Sequence, residues 1–91
     1  MSVLIRFAPD SLTAEQYDAA VTRLTADGVL PAEGLEFEIC FGSGDHMKVS
    51  QVWDTQEQLE AFGARLMPIL DDLGIDPGKP EVVEVHNIIN R

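Results

Sequence analysis

The chain has 91 residues, which is the size of one small domain, and 45% of them are hydrophobic. Sixteen acidic residues against six basic ones give a net charge of -10 at pH 7, which argues against nucleic acid or an anionic membrane surface as a partner. No window approaches the roughly 18 apolar residues of a membrane helix. Because there is one cysteine, Cys40, and no signal peptide, we expect a cytoplasmic protein without a disulfide in the chain.

The start of the chain predicts a strand followed by a capped helix. Apolar residues alternate over residues 3–7, and Pro9 ends the pattern. Thr13 and Gln16 have the spacing of a capping box, in which each residue satisfies a free backbone N–H of the other. Apolar residues then recur at helical spacing as far as Leu24, and Gly28 is suited to end the helix in a left-handed conformation.

The middle of the chain predicts a β-hairpin. Residues 35–41 alternate most clearly, and a turn at 42–45 with two glycines leads into a return strand at 47–53. One face of the first strand is expected to carry Leu35, Phe37, Ile39 and Phe41, and the other face Glu36, Glu38 and Cys40. On the return strand, Met47, Val49, Gln51 and Trp53 should share a face.

A second helix and a last strand complete the pattern. Asp54 and Glu57 have capping-box spacing, and an apolar stripe runs from Leu59 to Leu73. Pro68 lacks a backbone N–H, so we expect a kink or a short second helix at that point. After a loop rich in turn residues, the last strand is predicted at residues 81–89.

The order strand, helix, strand, strand, helix, strand predicts one α+β domain over residues 1–91. It is the split βαβ order of a ferredoxin-like fold, with a four-stranded antiparallel sheet. Right-handed crossovers would place both helices on one face of that sheet.

The two faces of the predicted sheet differ in character. The helix-facing set is expected to be Val3, Ile5, Phe7, Leu35, Phe37, Ile39, Phe41, Val49, Trp53, Val83 and Val85. The opposite set is expected to be Leu4, Arg6, Glu38, Cys40, Lys48, Ser50, Val52, Glu84, His86 and Ile88. This opposite face is too apolar for full contact with water, so we expect a second copy to cover it and close a dimeric α+β barrel.

The stretch VWDTQEQLEAF resembles the strand-to-helix junction of the dimeric α+β barrel superfamily, in particular its antibiotic-biosynthesis-monooxygenase-like branch. The residues that carry the resemblance are Val52, Trp53, Asp54, Glu57, Leu59, Glu60, Ala61 and Phe62. The resemblance implies a homodimer with a small apolar cavity between sheet and helices. Some members of this group oxidise phenolic or quinol compounds without metal or flavin, and others degrade haem.

The sequence lacks residues that one branch of this group uses, which limits the activities that the resemblance implies. Haem-degrading members use an asparagine on the first strand and a histidine on the second helix, and this chain has neither. That branch is therefore disfavoured, and we expect no cofactor. Two histidines on distant elements, without the spacing of metal ligands, predict no metal site.

The candidate site residues are a small set with structural alternatives. Trp53, Phe37 and Met67 are candidates for the apolar walls of a ligand pocket, although Trp53 is also suited to be a core anchor. Gln51, a polar residue on a predicted buried face, is a candidate to orient a ligand or to bond to the backbone. His86 is a weak candidate for a catalytic acid or base, the alternative being a surface or interface histidine.

Three functional interpretations remain open from the sequence. The leading one is a homodimer that binds or oxidises a small aromatic or phenolic compound without a cofactor. A second is a non-catalytic small-molecule-binding module, because regulatory amino-acid-binding domains share the βαββαβ order. A third is a protein-interaction module with no small ligand. Fold analogy alone ranks these three.

Overall fold

The computed structural model describes all 91 residues and has the predicted order of elements. The elements are β1 (Val3–Phe7), α1 (Ala14–Ala26), β2 (Leu35–Phe41), β3 (Lys48–Trp53), α2 (Gln56–Asp72) and β4 (Glu81–Glu84). The strands form one four-stranded sheet in the order β2-β3-β1-β4, and every neighbouring pair is antiparallel. The ferredoxin-like α+β fold is therefore confirmed. Neither helix combines the length and the hydrophobicity needed to cross a membrane.

Helix α1 begins and ends where the sequence predicts. The Thr13 hydroxyl accepts a hydrogen bond from the Gln16 backbone N–H at 3.0 Å, and the Gln16 side chain accepts one from the Thr13 backbone N–H at 2.9 Å. This is the predicted capping box. At the other end, Gly28 has a φ of 73°, the left-handed conformation that favours glycine after a helix.

Helix α2 is capped by Thr55, so the predicted capping box of Asp54 and Glu57 is wrong. The Thr55 hydroxyl accepts a hydrogen bond from the Gln58 backbone N–H at 3.2 Å. The Asp54 backbone N–H instead donates a hydrogen bond to the carbonyl of Gly34, the residue before β2, at 2.8 Å. The helix consequently starts one residue later than predicted.

Pro68 does not divide α2 into two helices, contrary to one of the sequence-based expectations. The helix runs without interruption over 17 residues with Pro68 inside it. Pro68 and Ala64, whose carbonyl loses its helical partner at this proline, both lie on the exposed side of the helix. Water can bind that carbonyl, which lowers the cost of the missing hydrogen bond.

The hydrophobic core lies between one sheet face and both helices. Trp53 is fully buried there, and its ring lies 5.0 Å from the ring of Phe62 on α2, centroid to centroid. The core comprises Val3, Ile5, Phe7, Leu12, Ala20, Leu24, Val29, Val49, Trp53, Leu59, Phe62, Leu66, Ile69, Leu70 and Ile75. Because α1, α2, β1 and β3 all contribute, both helices cover the same face of the sheet.

Strand β2 contains a bulge that the alternating pattern does not reveal. Leu35 pairs with Trp53, but the next pair is Phe37 with Val52, so Glu36 is an extra residue on β2. An extra residue shifts the alternation of every later side chain by one position. From Phe37 onward, the two faces of β2 are therefore exchanged.

The predicted faces of β2 beyond Leu35 are consequently wrong. Phe37, Ile39 and Phe41 lie on the face away from the helices and are 45%, 51% and 38% exposed. Glu38 and Cys40 lie on the helix side, opposite Gln51 and Val49 of β3, respectively. The interior thereby receives a carboxylate and a thiol in place of three large apolar side chains.

Strand β4 is shorter than predicted and its faces are also exchanged. It ends at Glu84 instead of residue 89, so His86 and Ile88 lie beyond the strand. Val83 pairs with Leu4 and therefore lies on the face away from the helices, whereas Glu84 pairs with Val3 on the helix side. The alternation of β4 continues no further than four residues, which leaves little pattern to fix its faces from sequence.

The sheet face away from the helices, called the open face below, carries an apolar row across all four strands. Cross-strand neighbours Phe37, Val52, Leu4 and Val83 form this row. The adjacent row consists of Ile39, Ser50, Arg6 and Glu81, and the pair Phe41 and Lys48 follows.

Candidate functional site

A cavity of about 70 Å³ lies between the sheet and the two helices. Eleven of its 15 lining residues are hydrophobic. They come from β1, α1, β3, α2 and the loops after β1 and α2, and include Phe7, Leu12, Leu24, Phe62, Leu66 and Ile75. Apolar walls with a few polar groups are typical of small-molecule sites. We call this space the interior cavity.

Three polar side chains meet at the interior cavity and form one hydrogen-bonded chain. The Tyr17 hydroxyl donates to Oε2 of Glu38. Nε2 of Gln51 donates to Oε1 of the same carboxylate at 2.6 Å. Oε1 of Gln51 accepts a hydrogen bond from the Trp53 indole N–H at 2.9 Å. The cavity is therefore connected to the buried tryptophan through Glu38 and Gln51.

The local fold explains why these groups meet. Glu38 and Gln51 are direct partners in the register of β2 and β3, and the bulge turns Glu38 toward the helices. Tyr17 lies on α1, which covers this part of the sheet. Gln51 is only 2% exposed, and the two hydrogen bonds of its amide satisfy the need of a buried polar group for partners.

The electrostatics of the cavity disfavour negative charge. Burial raises the pKa of Tyr17, and the hydrogen bond to Glu38 and the charge of that carboxylate raise it further. Burial also raises the pKa of the Cys40 thiol, again assisted by Glu38. No lysine, arginine or histidine lines the cavity. Arg6, the only arginine on a strand, is exposed and lies on the open face.

The predicted pocket residues separate into an interior and an exterior group. Gln51 lines the interior cavity, as its burial suggested. Trp53 is a core anchor behind Gln51 and does not line the cavity. Phe37 lies on the open face because of the bulge and does not line the interior cavity. Whether Gln51 orients a ligand stays a prediction.

Met67 and His86 also lie outside the interior cavity. Met67 is 46% exposed on α2, beside a shallow depression formed with the loop that follows the helix. His86 is exposed in the segment after β4 and lines neither the interior cavity nor this depression. No group of three or more histidine, cysteine or acidic side chains has the arrangement of a metal site.

Two residues of the site were missed by sequence reasoning. Tyr17 belongs by its spacing to the apolar stripe that predicts α1, and unbroken alternation of β2 places Glu38 on the open face. One signal could have found Glu38: a buried Gln51 needs partners, and a bulge in β2 brings a carboxylate directly opposite it.

Comparison with known proteins finds similar structures, whose sequences are 14–17% identical to this chain in the three examples given below. The chain matches no protein-family model and no curated protein. SnoaB from Streptomyces nogalater, a cofactor-independent oxygenase, matches with a TM-score of 0.63 and 14% identity, over 99% of this chain and 96% of that chain.

Two provisionally assigned antibiotic biosynthesis monooxygenases match over similar lengths. The protein from Chloroflexus aurantiacus J-10-fl has a TM-score of 0.65 and 14% identity, covering 99% of this chain and 98% of that one. The protein from Deinococcus radiodurans has a TM-score of 0.60 and 17% identity, covering 100% and 98%. This chain has the fold of the antibiotic biosynthesis monooxygenases. The resemblance seen in VWDTQEQLEAF is thus confirmed at the level of fold.

Proposed function

We propose that the protein is a homodimer that binds a small aromatic compound in the interior cavity of each subunit. The observation that supports this function is the composition of the cavity, which has apolar walls and one cluster of polar groups formed by Tyr17, Glu38 and Gln51. A ring would lie among the apolar side chains, and its polar substituent would meet Glu38 or Gln51.

The size of the cavity implies that a ligand must widen it. About 70 Å³ is less than the roughly 150 Å³ of an apolar cavity that takes up benzene. Tyr17 is only partly buried and Pro77 lies in the loop after α2, so both can move without disturbing the strands. Binding is therefore proposed to displace one of these side chains.

The open face supports the homodimer. Phe37, Ile39 and Val83 are large apolar residues with about half of their surface exposed, and they lie on one side of a single sheet. A patch of this kind is typical of an interface. The superfamily that the sequence resembles pairs its sheets through the corresponding face, and a two-fold pairing is the commonest arrangement of small domains.

The charges of the open face suit a second copy of the same chain. Arg6 and Lys48, two of only six basic residues, lie on this face together with the acidic Glu81. A two-fold axis can bring a basic residue of one subunit to an acidic residue of the other. A sheet face that carries both positive and negative side chains is more complementary to a second copy of the same face than to a partner with a large charge of one sign.

Oxidation of the bound compound without a cofactor is a second candidate function. Its support is the fold shared with SnoaB, a cofactor-independent oxygenase. Among the lining residues, the Glu38 carboxylate is the only group that could accept a proton from a phenol at neutral pH. The cavity would supply desolvation and positioning. The single Cys40 suits a reducing compartment, and a cytoplasmic location stays a prediction.

The function can be tested through the single tryptophan. Phenols, quinols, quinones and free amino acids would be titrated while the indole N–H resonance of Trp53 and its fluorescence are followed, with free tryptophan as the control for quenching. We expect a saturable change with aromatic compounds, because Trp53 is bonded to cavity residue Gln51. Oxygen uptake with a bound compound would indicate oxidation. The absence of saturable binding in every class would contradict the proposal and favour a protein partner.

A further inference from the structure

We propose that Glu38 is the anchor of the interior cavity and selects uncharged phenols, and that Tyr17 occupies the anchor when no ligand is bound. The inference rests on the proposed binding function and adds the residue that selects the ligand by its charge and the residue that occupies the ligand's position in the free protein. It also assigns a role to two residues that the sequence did not indicate. The observation behind it is that the phenol of Tyr17 already donates to Glu38 at the wall of the cavity.

The Glu38 carboxylate has the acceptor capacity that an anchor needs. It accepts one hydrogen bond from Tyr17 and one from Gln51. A carboxylate offers about four acceptor positions, so two remain after these bonds. No ion pair involves Glu38: Arg23 pairs with Asp27 and Asp72, and the other close contact of this kind joins the His46 ring to Asp45. An incoming donor therefore meets a charged acceptor that no cation neutralises.

Tyr17 shows which chemistry this acceptor takes. Its side chain is p-cresol attached to the backbone, and it enters the cavity from α1 with the hydroxyl on Glu38. Tyr17 is partly exposed, whereas Gln51 on the other side of Glu38 is buried and fixed by Trp53. An external phenol can therefore replace Tyr17 at the carboxylate more readily than it can replace Gln51.

The charge distribution excludes anions from the same position. Glu38 repels a carboxylate or a phenolate, and no basic side chain lines the cavity to compensate. Arg6 points to the other side of the sheet, and the net charge of -10 opposes the entry of anions. The cavity should consequently prefer an uncharged phenol to an anion of the same size.

The test compares three probes that share a methyl-substituted ring: p-cresol, toluene and 4-methylbenzoate. Each would be titrated against the full chain at neutral pH, with two-dimensional amide and indole spectra as the readout. We expect p-cresol to bind about tenfold or more tightly than either of the others, which is the size of a hydrogen bond to a charged group.

Two variants test the roles of the two residues. In Tyr17→Ala no phenol occupies Glu38, and the missing side chain leaves a space the size of p-cresol. The variant should bind p-cresol more tightly than the wild type does, and its affinity for toluene should rise by a smaller factor. In Glu38→Gln the preference for p-cresol over 4-methylbenzoate should fall by about tenfold. Glu60→Gln removes the same charge from an exposed site on α2 and should leave the preference unchanged.

The outcomes distinguish this inference from the proposed function. Equal binding of p-cresol and toluene, or an unchanged preference in Glu38→Gln, would overturn the role of Glu38 while leaving a cavity that binds aromatic rings. Absence of binding by all three probes, in the wild type and in Tyr17→Ala, would overturn both. If Tyr17→Ala does not fold, the comparison of wild type, Glu38→Gln and Glu60→Gln decides the question alone.

Discussion

Glu38 and Tyr17 form a contact in which each residue alters the other's chemistry. The Tyr17 hydroxyl donates a hydrogen bond to the half-buried Glu38 carboxylate. The carboxylate in turn adds to the effect of burial in raising the pKa of Tyr17. The contact lies at a cavity whose other lining residues are mostly apolar. At the residue scale, these two side chains are therefore the most direct probes of the site.

The ionisation of Tyr17 can be measured without interference, because it is the only tyrosine in the chain. We expect its absorbance titration to have a midpoint well above the ordinary value of about 10, since burial and Glu38 both raise its pKa. In Glu38→Gln the midpoint should move back toward 10, and Glu60→Gln serves as the control. A wild-type midpoint at the value found in denaturant would contradict the contact.

The same shift predicts how stability depends on pH. Because the folded-state pKa of Tyr17 is raised, the unfolded chain loses this proton at a lower pH than the folded chain does. The contribution of Tyr17 to the free energy of unfolding is thus complete below about pH 10 and is lost as the pH rises toward the folded-state pKa. Thermal unfolding of Tyr17→Phe, which lacks the ionisable group, should show a smaller alkaline loss than the wild type. Parallel pH profiles would count against this linkage.

At the scale of elements, the sequence predicts the strands and helices and the faces of β1 and β3, but not the faces of β2 and β4. The pattern of Leu35–Phe41 is that of a strand, and a strand is present. Its apolar residues suggested a buried stripe because alternation assumes unbroken pairing. The bulge at Glu36 depends on how β2 meets β3 and leaves no local pattern of its own. The face of a strand is therefore a tertiary property in this chain.

The hairpin between β2 and β3 depends on glycine at one turn position. Gly42 has a φ of 119°, and a Cβ there would lie 2.6 Å from the His46 carbonyl oxygen, which is backbone and cannot turn away. Gly42→Ala should lower the free energy of unfolding by about 1–3 kcal/mol. Gly44→Ala is the matched control, since its added Cβ meets nothing within 4 Å. Chemical denaturation would measure both, and an equal loss would contradict the role of the close contact.

At the scale of the whole molecule, fold and candidate site differ in how far the sequence predicts them. The βαββαβ order and the capping box of α1 follow from local patterns, and both are confirmed. Of the predicted pocket residues, only Gln51 lines the interior cavity. A cavity forms where side chains of several elements leave space, so positions such as that of Glu38 depend on tertiary packing that a single sequence does not display.

The central claim at this scale is that two copies pair through the open face. Ile39 is 51% exposed on that face. In the proposed dimer a two-fold axis relates the subunits, so the Ile39 side chains of both copies would be buried. Met67 is 46% exposed on α2, away from the sheet, and provides a control of nearly equal exposure. In Ile39→Lys the lysine would have to lose its water at the interface, which costs free energy. In Met67→Lys the lysine would stay in water.

Sedimentation velocity on the wild type, Ile39→Lys and Met67→Lys at micromolar concentrations tests this claim most directly. The account predicts a dimer for the wild type and for Met67→Lys, and a folded monomer for Ile39→Lys, with circular dichroism as the check on folding. A monomeric wild type would contradict the claim, and so would an Ile39→Lys protein that remains a dimer.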